Sequence, residues 1–407
     1  MMKIYERFLK YVMEDTQSSA KTGTMPSTPG QLGFAQKLYA ELKGMGIEDV
    51  RLDGQGYILG SIPSNIDREV PVIGFIAHID TAEVCPPPSK APRVIRDYDG
   101  QKITLESGVI LDPSAEPALA ACKGQDIIVT DGYSLLGGDD KAGVAAIVTA
   151  MEELTLNPAL KHGKVAFSFT PDEEIGCSQD HFDVEAFGAD FAYTVDGGSF
   201  GEIEYENFNA ASAEITVKGV TTHPGEAKDK MKNAALIAME FNTLLPPWER
   251  PEHTSDYEGF FHLIGMSGDC GQSRLFYIIR EHDAERFAAR KELVLQAVQL
   301  LNARYGEGTA AVEIRDGYRN MSELIRPHMH LINYAREEIC ALGCEPVTNP
   351  IRGGTDGCRL TYKGIPCPNL GTGSFNHHSV CEVASIDQME LSKELILRLA
   401  ERYGKGV

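Results

Sequence analysis

The chain has 407 residues, 43% hydrophobic and 24% charged, which excludes a disordered protein and exceeds one core of ordinary size, so two domains are expected. A formal net charge of −21 argues against nucleic acid or an anionic membrane as partner, and no run approaches the roughly 18 apolar residues of a membrane span. Nine cysteines without disulfide-framework spacing, and a polar start from Met1 to Arg7 in place of a signal-like segment, read as reduced thiols in a cytoplasmic protein.

In chain order, residues 3–15 and 30–45 are predicted as amphipathic helices, the second opened by Thr28-Pro29 and closed by Gly44 and Gly46. Residues 56–62 and 70–77 are predicted strands. The Pro-rich stretch 85–92 is a stiff loop, because proline is excluded from central strands and helix interiors. A short strand at 126–130 precedes a helix over 142–156, with Val144, Ile147, Val148, Met151 and Leu154 on one face. Strands at 165–170 and 191–195 follow. Strands alternating with helices predict an α/β class: a mainly parallel sheet with helices on both faces.

Near residue 208 the pattern changes. A strand at 213–218, a helix at 227–245, strands at 258–267 and 273–281, a helix at 283–304 and a strand at 310–316 follow in turn. The order β-α-β-β-α-β is that of the ferredoxin-like unit. The expected organisation is therefore a first domain over residues 1–207, an inserted α+β domain over 208–320, and a return to the first domain over 321–407, starting with a helix at 328–342. Cys340 and Cys344 lie four apart without a second pair, which reads as helix packing rather than a zinc site.

Several chemistry-bearing residues stand where apolar runs stop. His78 and Asp80 close the run from Val72, Glu173 and Glu174 follow the run 165–170, and Asp196 closes 191–195. Asp139 and Asp140 end a Gly-rich turn before the helix at 142, and His378 lies in a late Gly-, Asn- and His-rich loop. In an open α/β sheet, sites form beyond the carboxyl ends of the strands, so these groups are expected together. Carboxylates and imidazoles gathered there predict a site for two divalent cations. His78 and Asp80 share one side of an extended segment, so Asp80 can orient the His78 ring. The neighbouring Glu173 and Glu174 point different ways, so that one can bind metal while the other handles a proton.

The stretches Ala77-His78-Ile79-Asp80-Thr81, Gly137-Gly138-Asp139-Asp140-Lys141-Ala142-Gly143, Pro171-Asp172-Glu173-Glu174-Ile175-Gly176, Val195-Asp196-Gly197-Gly198 and His378-Ser379-Val380-Cys381-Glu382 resemble the co-catalytic zinc exopeptidases. That family includes peptidase T, glutamate carboxypeptidase and aminoacylase. Asn207-Phe208-Asn209-Ala210-Ala211, Tyr277-Ile278-Ile279-Arg280 and Ile351-Arg352-Gly353-Gly354-Thr355-Asp356-Gly357 resemble its peptidase T branch, the tripeptide aminopeptidases. The resemblance implies that His78 and Asp196 hold one zinc ion, Glu174 and His378 the other, and that Asp139 bridges. It makes Glu173 the general base and Asp80 the brace of His78. It also implies a cis peptide between Asp139 and Asp140. Of the adjacent His377 and His378, the second has Glu382 four residues on, as the family pattern requires; His377 is the alternative. The resemblance further makes the insert a lid, with His223 stabilising the tetrahedral oxyanion and Arg280 and Arg352 binding the substrate's carboxylate or backbone.

The resulting expectation is a di-zinc aminopeptidase acting on short peptides, tripeptides above all. Two zinc ions per subunit are expected, with cobalt or manganese as alternatives, because carboxylate-rich sites admit several ions. A homodimer through the lid is compatible with it. The competing readings are a carboxypeptidase, a dipeptidase or an N-acyl amino acid amidohydrolase on the same site, and a non-catalytic peptide-binding protein. A redox role for the cysteines lacks a C-x-x-C motif.

Overall fold

A computed structural model describes residues 2–406. The chain forms two compact units: one from the segments up to Tyr205, Glu323–Thr348 and Thr355 onward, the other from Glu206–Ser322 with Asn349–Gly354.

The first unit is built on a seven-stranded sheet in the order Val50–Leu52, Ile58–Ile62, Val165–Thr170, Ile73–His78, Phe191–Gly197, Asn369–Gly371, Ile203–Glu204. The four strands from Val165–Thr170 to Asn369–Gly371 run parallel, and antiparallel strands complete both margins. Ile73–His78 and Val165–Thr170 are buried at every position, the condition that makes a covered parallel strand read as an unbroken apolar run. Helices lie on both faces. On one, Ile76, Ala166 and Ala192 pack with Phe187 and Leu360, from the helices Val184–Phe187 and Asp356–Tyr362. The helix Gly138–Leu156 packs on the strands Ile73–His78 and Phe191–Gly197, with Ile4–Val12 and Ile386–Gly404 packed against it. Among the described residues no helix is long and apolar enough to cross a membrane.

A second sheet of this unit was not anticipated. Ser374–Phe375, Val383–Ser385, Ile127–Val129 and Arg93–Ile95 pair antiparallel over a core that includes Tyr98, Leu119 and Val383. Ile127–Val129 is the strand expected at 126–130; its partners, of two or three residues each, carry no periodic signal. The helices Asp356–Tyr362 and Ile386–Gly404 also exceed what was read from the sequence.

The second unit is the β-α-β-β-α-β arrangement expected for the insert. Its antiparallel sheet runs Phe260–Gly268, Gln272–Glu281, Asn209–Lys218, Ala310–Asp316. The helices Ala234–Leu244 and Ala284–Tyr305 supply Ile237, Phe241, Val294 and Leu301 to a core shared with Ile215, Leu275 and Ile279. The first of these helices starts later than its predicted position at 227. Pro224–Glu226 forms a 3-10 turn, and the Asn233 side chain caps the helix by accepting from Ala235 and Leu236 N–H. Asn349–Gly354, read from sequence with the first domain, clusters here because Ile351 N–H donates to the Glu206 carbonyl and Arg352 is tied to residues 254–258.

Candidate metal centre

The parallel strands end on one edge of the sheet. His78 is the last residue of Ile73–His78 and stands in register with Thr170, the last of Val165–Thr170. Glu173 and Glu174 follow Thr170 directly, and Asp196 lies near the end of Phe191–Gly197. Asp139 opens the helix Gly138–Leu156 with non-helical backbone (φ −83°, ψ 103°), and the Asp139–Asp140 peptide is cis, as the resemblance implied. His378 sits in the loop between Ser374–Phe375 and Val383–Ser385, at φ 57°.

These side chains meet. His78 Nε2 lies 2.8 Å from Asp139 Oδ1 and 3.3 Å from Asp196 Oδ1. On the other side, His378 Nε2 lies 3.3 Å from Asp139 Oδ2 and 2.8 Å from Glu174 Oε2. The Asp139 carboxylate therefore stands between a His78–Asp196 pair and a Glu174–His378 pair. Ligand atoms of His78, Asp139 and Glu174 all lie within 4.8 Å of one another, as do those of His78, Asp140 and Asp196. Asp140, to which the sequence alone assigns no role, accepts from His78 N–H at 3.2 Å and Gly143 N–H at 3.1 Å. His377 turns Nε2 to Ser374 Oγ at 2.9 Å and keeps Nδ1 3.5 Å from Asp139 Oδ2.

Three further carboxylates fix the frame. Asp80 accepts from the peptide N–H of Glu173 at 2.9 Å and of Glu174 at 3.1 Å, while its backbone carbonyl lies 3.1 Å from His78 Nδ1. Asp172, fully buried at φ 58°, accepts from Ser27 N–H at 2.7 Å, Gln31 Nε2 at 2.6 Å and Ser27 Oγ. Glu382 accepts from Gly137 N–H at 2.8 Å and Asp139 N–H at 3.0 Å. Side-chain bonds to backbone N–H leave no pattern in a sequence. Only the spacing of Glu382 from His378 hinted at a part for it.

Residues 135–402 match Peptidase family M20/M25/M40. Peptidase T of Parabacteroides distasonis is 50% identical over 402 residues, covering 98% of each chain. The chain belongs to Peptidase family M20/M25/M40. Its fold is shared with aminopeptidase PepT from Bacillus cereus (TM-score 0.77, 23% identity, 98% of each chain covered). It is shared also with the YXEP protein from Bacillus subtilis, a dinuclear metal binding peptidase of the M20 family (TM-score 0.67, 15% identity, 99% of this chain and 98% of that one).

The donor set of this M20 chain fits a divalent metal. Carboxylate oxygen and imidazole nitrogen are the ligands zinc takes in catalytic sites, and cobalt and manganese accept the same set. The electrostatics point the same way. Burial raises the carboxyls of Asp140, Glu173 and Glu174, and pushes Asp196 up to about 7. Burial also opposes the Asp139 carboxylate, yet His377, His378 and His78 hold it well below the ordinary range. His78 is desolvated too, but Asp196, Asp139 and Asp80 raise it well above an ordinary imidazole. Burial lowers the Lys141 ammonium to about 8, against the pull of Asp80 and Glu382. Crowded like charges of this kind are what a bound dication relieves.

His223, Arg280 and Arg352 belong to the second unit. His223 is exposed and caps the turn Pro224–Glu226, with Nδ1 accepting from Gly225 N–H at 3.2 Å. Arg280 Nη1 donates to the Ile279 carbonyl at 3.0 Å, and its guanidinium stacks 5.3 Å from the Tyr318 ring centre. Arg352 donates to the carbonyls of Asp256 at 2.8 Å and Glu258 at 3.0 Å and to Thr254 Oγ1 at 2.9 Å, over the Phe208 ring. Its fork holds the 254–258 loop.

Proposed function

We propose that the chain is a two-metal aminopeptidase that releases the N-terminal residue of short peptides, tripeptides first. The observation that carries this reading is the Asp139 carboxylate standing between His78–Asp196 and Glu174–His378, with the Glu173 carboxyl beside them. A relative named Peptidase T, half identical over nearly the whole chain, supports the substrate class.

His78 and Asp196 would hold one ion, Glu174 and His378 the other, and Asp139 both. Zinc is the expected metal, with cobalt or manganese able to use the same donors. Bound there, the ions would make water acidic enough to lose a proton near neutral pH and would polarise a peptide carbonyl. Glu173 takes that proton as water attacks and hands it to the leaving amine. Asp80 holds the peptide groups of Glu173 and Glu174 and steadies the His78 ring. His223 is assigned to the oxyanion and Arg280 and Arg352 to the peptide's carboxylate or backbone, on the resemblance, as are the lid role of the insert and a homodimer formed through it. Nine unpaired cysteines favour a reducing, cytoplasmic setting.

The test is zinc content together with hydrolysis of Leu-Gly-Gly and of its N-acetylated form. Wild type should release leucine from the free peptide, spare the blocked one and lose activity on chelation. Glu173→Ala should keep its zinc and lose hydrolysis by about 100-fold or more. Chelator-stripped protein that still turned over would end the metal reading, and a fully active Glu173→Ala would remove the base. Equal cleavage of the blocked peptide would move the activity to another branch of the family.

A further inference from the structure

We propose that Glu382 is a positioning residue that sets the bridging Asp139 carboxylate and thereby the affinity for metal, an inference that rests on the two-metal reading above. Glu382 is 1% exposed, and nothing about a buried carboxylate is favourable unless its oxygens are used. Both are used on one turn. Oε2 accepts from Gly137 N–H at 2.8 Å and Oε1 from Asp139 N–H at 3.0 Å, so the two bonds straddle Gly138. The turn is pressed onto this carboxylate. A Cβ at Gly138 would lie 3.0 Å from Glu382 Oε1 and 2.9 Å from the Ser374 Cβ.

The backbone of Glu382 gives the clamp its reference point. Val383, the next residue, begins a strand paired with Ile127–Val129, whereas Asp139 and His378 both lie in irregular backbone. Glu382 N–H also donates to the Ser379 carbonyl at 3.2 Å, which ties it to the loop that carries His378. One side chain thus fixes the turn of the shared ligand to the loop of a second ligand. A carboxylate suits this task because two N–H donors call for two acceptor oxygens. An amide offers one acceptor and turns its NH2 group against the remaining donor.

Glu382→Gln and Glu382→Asp decide the matter, each prepared metal-free beside wild type and dialysed against graded zinc, with bound zinc counted and thermal unfolding recorded. Glu382→Gln should need about 10–100-fold more zinc for half-occupancy, and Glu382→Asp, which keeps both oxygens on a shorter stem, less. Saturating zinc should restore most of kcat to the Gln variant, because the loss lies in occupancy and not in proton transfer. Unchanged zinc affinity in folded variants overturns the proposal. So does failure of both variants to fold without metal, which would make Glu382 a support of the unit as a whole. Wild type that bound no zinc would fail differently: it would remove the two-metal reading, and this inference with it.

Discussion

Asp80 acts on three neighbours at once. Fully buried, it takes the Glu173 N–H on one oxygen and the Glu174 N–H on the other, and its Oδ1 and backbone carbonyl lie 3.4 and 3.1 Å from His78 Nδ1. Spacing along the chain reveals only the link to His78, since a strand places residues two apart on one side. The larger part of the arrangement lies across the sheet and is bonded to backbone. Asp80→Asn should leave one of the two glutamate N–H groups facing an amide NH2. A buried donor left without an acceptor costs about 1–3 kcal/mol, enough to loosen the segment that carries the base. The expected result is a fall in kcat of about 10–100-fold, the range of such supporting contacts, with circular dichroism unchanged. Undiminished kcat would mean that Asp172, held by Ser27 and Gln31, fixes the segment alone.

The same distinction separates elements. Val165–Thr170 runs as its unbroken apolar run indicated, because a covered strand writes its burial into consecutive residues, and Ala310–Asp316 is legible through the alternation of a half-covered strand. Asn369–Gly371 and Val383–Ser385 have three residues each and take their identity from partners far along the chain. The start of Gly138–Leu156 escaped for another reason: Asp139 and Asp140 leave helical geometry to bring a carboxylate to the sheet edge. Close approach makes this helix testable. A Cβ at Gly143 would fall 1.8 Å from the Val195 carbonyl oxygen and 2.4 Å from Asp140 Oδ1. Gly143→Ala should therefore destabilise the first unit by about 2–3 kcal/mol in denaturant titration, since backbone cannot yield as a flexible side chain does. Gly33, inside Pro29–Gly44 with nothing within 4 Å of its would-be Cβ, supplies the contrast. Gly33→Ala should stabilise by about 0.5–1 kcal/mol through a stiffer unfolded chain and better helix propensity. Equal effects at the two sites would contradict the packing described.

At the scale of the molecule, two units with separate cores divide the work. The core of the second unit runs from Ala211 to Ala310 and contains none of the metal-centre residues, while every one of those residues belongs to the first unit. A ligand that binds only folded protein stabilises only the part whose unfolding releases it. Metal should therefore act on one unit and not on the other. At zinc about 100-fold above its dissociation constant, linkage supplies about 2.7 kcal/mol per ion. For a unit of this size that corresponds to about 5 °C per ion and about 10 °C for the pair, at roughly 2 °C per kcal/mol. Scanning calorimetry of metal-free and zinc-loaded protein should resolve two transitions, of which one rises by about that amount and the other stays. Glu173→Ala, which leaves the proposed ligands in place, should show the same selective rise, so the effect does not depend on turnover. A single transition moving as a whole would mean that the two units unfold cooperatively as one. A pair in which neither moved would deny the carboxylate cluster its metal.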